Sequence, residues 1–289
     1  MKENRTASGM DPTRRRWLQA LAAAPVLACA AAAPATARAA TKTSARIVIA
    51  GSGLGGIAVA NRLSSLLDGA KITIIDRKEE HNYQPGYTLV ATGVWPVEKV
   101  RDRNADYQPA GVEWVKDMVA GFDPAANTVI TAGGQRIPYD FLVVATGVHL
   151  DFAQIEGMDV GAIGSNGLAS VYPGPQAAQA TWAAMQAFTA KGGNAVMTLP
   201  ATPLKCAGAP LKMSFMLRDR LLKAGTLGAS KISFQSALGN VFGVKVVNDN
   251  VLERWKALGI DVEFSRKLAA IDIGARRATF VSPEGEKQE

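Results

Sequence analysis

The sequence predicts an α/β fold made of two Rossmann-like dinucleotide-binding domains. In both halves of the 289-residue chain, short apolar runs typical of buried strands alternate with segments of helical periodicity. In each half an unusual turn links an early apolar run to the helix-like segment after it: GSGLGG in the first half and TPLKCAGAPLK in the second. A hydrophobic share of 48% is enough to build a core in both domains.

Residues 1–39 are typical of an export signal. TRRRWLQ at residues 13–19 is similar to the twin-arginine motif, with Trp in place of Phe and Gln in place of Lys. The apolar run at residues 18–33 is shorter than the ~20 residues of a spanning helix, and Ala37-Arg38-Ala39 offers a cleavage site. We expect twin-arginine export to the periplasm; an ordinary secretory signal and an N-terminal anchor are the alternatives.

The chain has two cysteines, Cys29 and Cys206. VLAC at residues 26–29 resembles a lipoprotein cleavage box, which would leave Cys29 lipidated; otherwise Cys29 is lost with the signal. Cys206 is then the only thiol of the mature chain, which excludes a disulfide framework within residues 40–289.

The charge of the chain lies mostly in the signal. The net charge is +7, but residues 1–39 hold six of the 32 basic residues and two of the 25 acidic ones, which leaves 26 basic and 23 acidic residues. No run rich in Lys and Arg remains in residues 40–289, so we exclude a nucleic-acid partner. We predict no metal site.

The first domain, placed at residues 40–155, begins with a dinucleotide-binding pattern. Gly51 permits a tight turn after the strand RIVIA, Gly53 lets the backbone approach a pyrophosphate, and Gly56 lets the following helix pack closely. The next apolar run, KITII, ends at Asp76, where a carboxylate can accept hydrogen bonds from ribose hydroxyls. The cofactor contacts predicted here are Gly51, Ser52, Gly53, Gly55, Gly56, Asp76 and Arg77.

Two further segments complete the predicted cofactor site. Residues 112–147 alternate β-type runs with turn signals and close on FLVVATG, so a β-meander followed by a buried strand is expected. This order resembles the FAD domain of flavoproteins with two dinucleotide-binding domains. GxGxxG alone does not discriminate FAD from NAD, so it is this resemblance that favours FAD. NYQPGYT at residues 82–88 has the side chains to line a flavin edge. The contacts predicted in these segments are Tyr83, Gln84, Pro85, Thr88, Ala145, Thr146 and Gly147.

The second domain, placed at residues 156–289, repeats the βαβα order. The strand NAVMTLP is followed by a helix from about residue 211 to 224, the strand KISFQSA, a helix at about 248–258 and the strand DVEFS. The first turn of this domain lacks glycines in the GxGxxG arrangement. Its prolines remove backbone donors that a pyrophosphate needs, so NADH binding is disfavoured here.

Cys206 lies in that turn, just ahead of the predicted helix. A helix N-terminus and the flanking Lys205 and Lys212 would favour its thiolate form, which suits nucleophilic or redox chemistry. The alternative is that Cys206 is a small buried hydrophobe.

YQPGYTLVATG and TPLKCAGAPLK, lying behind GSGLGG and before KISFQSA, closely resemble sulfide:quinone oxidoreductases over residues 46–289. The resemblance implies an FAD-dependent enzyme that oxidises sulfide to sulfane sulfur or polysulfide and reduces membrane quinone. It also implies two redox cysteines: sulfide attacks their sulfur bridge and a persulfide forms. Cys206 matches the first of them, and Lys205 and Lys212 are expected to attract the hydrosulfide anion.

Two departures from the family pattern leave alternatives. The second redox cysteine, a later FAD contact and the membrane-associating part should lie beyond residue 289, so we expect a C-terminally truncated fragment that is inactive alone. The export signal suggests an alternative family, the flavin subunit of flavocytochrome c sulfide dehydrogenase, which passes electrons to cytochrome c. That subunit carries a cysteine after the acidic strand, and this chain does not, which favours quinone as the electron acceptor. An NADH dehydrogenase would need a glycine-rich turn after residue 200, and a non-catalytic binding protein would hold no flavin.

Overall fold

The computed structural model describes residues 40–202 and 204–289. The predicted export signal, including the twin-arginine motif and Cys29, lies outside the described residues. Short 3-10 turns occur at Gln84–Gly86, Val97–Val100, Asn104–Asp106, Phe152–Gln154, Val160–Ala162 and Leu227–Ala229. No helix in the described part of the chain is long and apolar enough to cross a membrane.

The first half is built on a four-stranded parallel sheet. In chain order its elements are β1 (Thr41–Lys42), β2 (Arg46–Ala50), α1 (Leu54–Leu66), β3 (Leu67–Asp68), β4 (Lys71–Ile75), β5 (Glu80–Asn82), α2 (Tyr87–Val90), β6 (Arg101–Arg103), β7 (Glu113–Val115), β8 (Val119–Asp123), β9 (Thr128–Thr131), β10 (Arg136–Pro138) and β11 (Phe141–Val144). The parallel sheet has the order β11-β2-β4-β7, and β8, β9 and β10 form the antiparallel meander that the sequence predicts.

The central strands of this sheet carry the core of the first half. Ile47, Ile49, Ile72 and Ile74 are buried beneath α1, which presents Ala60 to them. Strands covered on both faces are expected to be continuously apolar, and β2 and β4 are buried at every position after the first. Because β2 and β4 are parallel, their carboxyl ends lie at the same edge of the sheet, next to the glycine turn and Asp76.

The second half repeats the arrangement on a three-stranded parallel sheet of order β12-β13-β14. Its elements are α3 (Pro175–Thr189), β12 (Gly193–Leu199), α4 (Gly208–Ala224), β13 (Ser230–Ser236), α5 (Lys245–Leu258), β14 (Ile260–Glu263) and an antiparallel sheet of β15 (Lys267–Asp272), β16 (Arg277–Val281) and β17 (Lys287–Gln288). The predicted α/β fold class is confirmed.

Two helices begin earlier than the sequence analysis places them. α4 starts at Gly208 instead of about residue 211, because Pro210 lies in the first turn, where a backbone N–H has no intrahelical partner to lose. α5 starts at Lys245 instead of about residue 248; its first turn contains Val246 and Val247, whose branched side chains have low helix propensity.

The largest core of the protein contains residues from both halves. Trp255 and Phe234 are fully buried with their ring centroids 4.7 Å apart, and Tyr87 and Val90 of α2 belong to the same cluster. The segment around α2 is thus held by the second half as well as the first. The domain boundary predicted between residues 155 and 156 stays a prediction; Glu156 accepts and donates backbone hydrogen bonds with the β15 strand.

Candidate functional site

The glycine turn between β2 and α1 has two positions that only glycine can occupy. Gly51 has φ +108°, and a Cβ there would overlap the Ala145 carbonyl oxygen. A Cβ on Gly56 would overlap the Gly51 carbonyl oxygen. By contrast, a Cβ on Gly53 or Gly55 would meet nothing within 4 Å. Gly51 and Gly56 therefore allow the turn to pack closely on neighbouring backbone, whereas Gly53 and Gly55 face open space.

The N-terminus of α1 is available to an anion. Gly53 is its N-cap and provides no side chain to bond the amides of the first turn, which have no intrahelical acceptors. Leu54, at the first helical position, is 77% exposed. This combination of free amides, a helix dipole and an open approach is the geometry of a pyrophosphate site.

Asp76 lies at the end of β4, beside the turn. Its Oδ2 accepts the Ser52 amide at 2.7 Å and its Oδ1 accepts the Lys78 amide at 2.8 Å. Each carboxylate oxygen keeps a second lone pair, so the group can also accept hydrogen bonds from a ribose hydroxyl. Arg77, predicted as a further contact, is exposed next to it.

Asn104 completes this site and was missed by the sequence analysis. Its buried amide nitrogen donates to Ser52 Oγ at 2.8 Å and to the Lys78 carbonyl at 2.6 Å. Since both N–H groups are used, Asn104 Oδ1 is the acceptor at 2.9 Å from His81 Nδ1, which makes His81 the donor in that bond. Nothing in the sequence around Asn104 marks it, because its partners are 23 to 52 residues away.

The Ala145–Gly147 segment, predicted to contact the cofactor, runs past the glycine turn. The Ala145 amide donates to the Ala50 carbonyl at 2.8 Å, which continues the β11-β2 pairing into the loop. Thr146 and Gly147 are exposed, and Val148 after them is 73% exposed. The glycine turn, Asp76 and this loop therefore form one open surface at the carboxyl edge of the sheet, where α/β folds bind ligands.

The Tyr83–Thr88 segment forms a second group of predicted residues. Tyr83 is 50% exposed and lies 6.4 Å from the Trp95 ring, and Pro85 is exposed. Thr88 is fully buried, and its hydroxyl is 3.5 Å from the Pro85 carbonyl, so it belongs to the core and not to an open surface. The side chain of Gln84 accepts a hydrogen bond from the Lys205 ammonium, which is 121 residues away in sequence.

Cys206 lies at the turn before α4, and its carbonyl accepts the Ala209 amide at 3.1 Å. Its side chain is exposed, which contradicts the alternative that it is a small buried hydrophobe. The phenol of Tyr172 has a pKa raised above its ordinary value, first by burial and second by the Coulombic effect of Cys206. Tyr172 in turn lies 6.0 Å from the Tyr87 ring. Lys212 is half-buried in α4, beyond the first turn.

The structure thus brings the predicted residues together as two groups. One is the dinucleotide surface at the end of β2 and β4; the other joins Gln84 and Tyr87 of the first half to Lys205 and Cys206 of the second. The first group offers backbone amides and a carboxylate for a nucleotide, and the second offers an accessible thiol next to a cation. No cluster of three or more metal-ligating side chains occurs among residues 40–202 and 204–289.

Comparisons with known proteins agree with this geometry. Residues 45–184 match the family "pyridine nucleotide-disulphide oxidoreductase". The chain is 34% identical to the mitochondrial sulfide:quinone oxidoreductase of Mus musculus over 83% of this chain and 52% of that protein. It is also 34% identical to the one of Dictyostelium discoideum over 85% of this chain and 54% of that protein. The solved sulfide:quinone oxidoreductase of Aquifex aeolicus superposes with a TM-score of 0.71 at 25% identity, covering 84% of this chain and 56% of that one. The chain spans about half the length of these relatives.

Proposed function

We propose that the chain belongs to the pyridine nucleotide-disulphide oxidoreductase family, whose model matches residues 45–184, and that it is part of an FAD-dependent sulfide:quinone oxidoreductase. One structural observation carries the proposal: the turn of the second Rossmann-like unit carries an exposed cysteine, and Lys205 beside it donates a hydrogen bond to Gln84 in the first half of the protein. A pyridine nucleotide would need backbone amides in that place. The resemblance to sulfide:quinone oxidoreductases, expected from the sequence motifs, is confirmed by the relatives.

The residues at the end of β2 and β4 fit FAD. The amides at the N-terminus of α1 would hold its pyrophosphate, Asp76 would accept its ribose hydroxyls, and Ala145–Gly147 would flank it. FAD supplies two-electron redox chemistry when it is bound. The open space around Gly53 and Gly55 is the room that a dinucleotide backbone requires.

For sulfide oxidation we propose that Cys206 acts as half of a redox-active disulfide. Hydrosulfide attacks one sulfur of the bridge, a new S–S bond forms as the old one breaks, and the products are a persulfide on one cysteine and a thiolate on the other. The second cysteine lies outside residues 40–289, whose only cysteine is Cys206. Lys205 and Lys212 supply positive charge near the thiol that attracts the anion.

Quinone is the acceptor that we propose, because the relatives are named sulfide:quinone oxidoreductases. No observation favours cytochrome c in its place. A lipid-soluble acceptor requires contact with a membrane surface, and we propose that the protein is peripheral to the membrane. We further propose that the N-terminal motif directs it to the periplasm by the twin-arginine route.

The active enzyme, we propose, includes sequence beyond these 289 residues. Two observations support this: the chain spans only about half the length of the relatives, and β11 is an edge strand whose Phe141 is 63% exposed. An uncovered apolar edge of a parallel sheet is normally paired or covered.

The test is the visible spectrum of the purified chain before and after anaerobic sulfide, beside a longer form that includes the downstream reading frame. Flavin that sulfide bleaches only in the longer form is the expected result. Flavin that NADH bleaches and sulfide does not would overturn the assignment and make Cys206 a bystander. Sulfide-dependent quinone reduction by the 289-residue chain would overturn the expectation that it is inactive alone.

A further inference from the structure

Gln84 lies on a rigid part of the first half. Its turn is held by two backbone hydrogen bonds, from the Tyr83 amide to the Val100 carbonyl at 2.9 Å and from the Gly86 amide to the Tyr83 carbonyl at 3.0 Å. Gly86 is packed so closely that a Cβ there would be 3.0 Å from the Trp95 ring. Tyr87 follows immediately and is buried in the large core. The Gln84 side chain therefore projects from a fixed backbone.

Lys205 lies on a segment with much less support. Of residues 200–207, those that the structure describes are exposed except for Ala207, which is half-buried. The regular structure resumes only at Gly208, where α4 begins. The side-chain hydrogen bond from Lys205 to Gln84 joins this segment to the first half.

A second contact links the two halves close to the first one. The Tyr172 ring lies 6.0 Å from that of Tyr87, three residues after Gln84. The Lys205 hydrogen bond and this ring contact thus meet the first half at one short segment, Gln84–Tyr87. A change at Gln84 would loosen the thiol without touching it.

We propose that Gln84 is a positioning residue: by accepting the Lys205 hydrogen bond, it fixes the loop that carries Cys206 against the first half of the protein. This revises the sequence-based prediction that Gln84 contacts the cofactor. The expected consequence, that the thiol is held at a constant distance from the dinucleotide domain, matters for catalysis only if the proposed function is correct. The contact itself can be tested whether or not flavin is bound.

The experiment is hydrogen exchange of the full chain, followed in peptides that cover residues 200–207, together with its flavin content. Gln84→Ala and Lys205→Met should each raise exchange in this segment by about two- to fivefold, which corresponds to one hydrogen bond. The double variant should exceed neither single variant, because both remove the same bond. Gln84→Glu retains an acceptor and should keep exchange near that of the unchanged protein. Gln186→Ala, on the exposed face of α3, is the matched control and should change nothing.

Flavin content separates the two roles of Gln84. A positioning residue leaves the amount of bound flavin unchanged in Gln84→Ala, whereas a cofactor contact lowers it. Unchanged exchange at residues 200–207 in both Gln84→Ala and Lys205→Met overturns the proposal, with or without a change in flavin. A chain that binds no flavin at all would overturn the proposed function, while the exchange result would still decide the role of Gln84.

Discussion

Two strand-to-helix turns occupy the same place in the two halves of this protein but are built differently. The turn from β2 to α1 is three residues long, Gly51–Gly53, and its first two residues are buried. The turn from β12 to α4 spans residues 200–207, and its described residues are mostly exposed. The first turn uses glycines and backbone amides, and the second uses the side chains of Lys205 and Cys206.

The same fold position therefore presents two different sets of chemical groups in the two halves. A short turn brings the helix N-terminus to the sheet edge, where the amides face a ligand. A longer turn moves the helix N-terminal amides away from the sheet edge. It presents side chains there instead, which a short glycine turn lacks. The chemistry at each site follows from the turn and not from the βαβ frame, which the two halves share.

The largest effect is expected from filling the space inside the first turn. Gly56→Ala would place a methyl group on the Gly51 carbonyl oxygen, so either the turn or α1 must move. We expect a loss of about 3 kcal/mol or more in the free energy of unfolding, and loss of bound flavin. Gly55→Ala is the matched control for stability only, because its Cβ meets no protein atom but lies in the space that the dinucleotide would occupy. Urea unfolding measures the stability and flavin absorbance measures the bound cofactor. Equal stability of the two variants would contradict the close packing of the first turn at Gly56.

The sequence was sufficient to predict the short turn but not what holds it in place. Gly51, Gly53, Gly56 and Asp76 follow the spacing of the dinucleotide-binding motif, and the structure places all four at one edge of the sheet. Asn104 belongs to no such motif, and its role depends on contacts with residues 23 to 52 positions away.

For the second turn, too, the sequence predicts the local structure but not the long-range contacts. The position of Cys206 at a helix N-terminus was predicted from strand and helix patterns, and the structure agrees. The hydrogen bond from the neighbouring Lys205 to Gln84 was not predicted, because it depends on how the two halves pack. The start of α4 is predicted at about residue 211, whereas the helix begins at Gly208 with Pro210 in its first turn.

The next largest effect concerns the buried support of the first turn. Asn104→Ala removes three side-chain hydrogen bonds and leaves the Lys78 carbonyl and the Ser52 hydroxyl without this partner. We expect about 2 to 3 kcal/mol of lost stability in chemical unfolding. Asn250→Ala, which removes an exposed hydrogen bond to Val246 on α5, should cost far less. If the two variants lost the same stability, the first turn would not depend on a buried polar network.

A smaller effect should appear at high pH, in the core between the two turns. Burial raises the pKa of Tyr87 from 10.0 to about 12. In the unfolded chain the phenol loses its proton near pH 10, while the folded protein keeps it, so stability falls as the pH rises from about 10 to about 12. Tyr87→Phe should flatten this part of the stability profile, measured by urea midpoints across the same range. An equally steep loss in the variant would place the alkaline sensitivity elsewhere.

The smallest effect on stability is expected at the second turn itself. Cys206 is exposed, so Cys206→Ser should change the free energy of unfolding by no more than about 0.5 kcal/mol. Ser52→Ala in the first turn removes a hydroxyl bonded to Asn104 and should cost about 1 kcal/mol. In a Cys29→Ser background, iodoacetamide should label Cys206 in the folded chain nearly as fast as in urea. Slow labelling of the folded chain would mean that the thiol is covered. A loss of stability in Cys206→Ser as large as that in Ser52→Ala would mean that the second turn, like the first, is part of the packed structure.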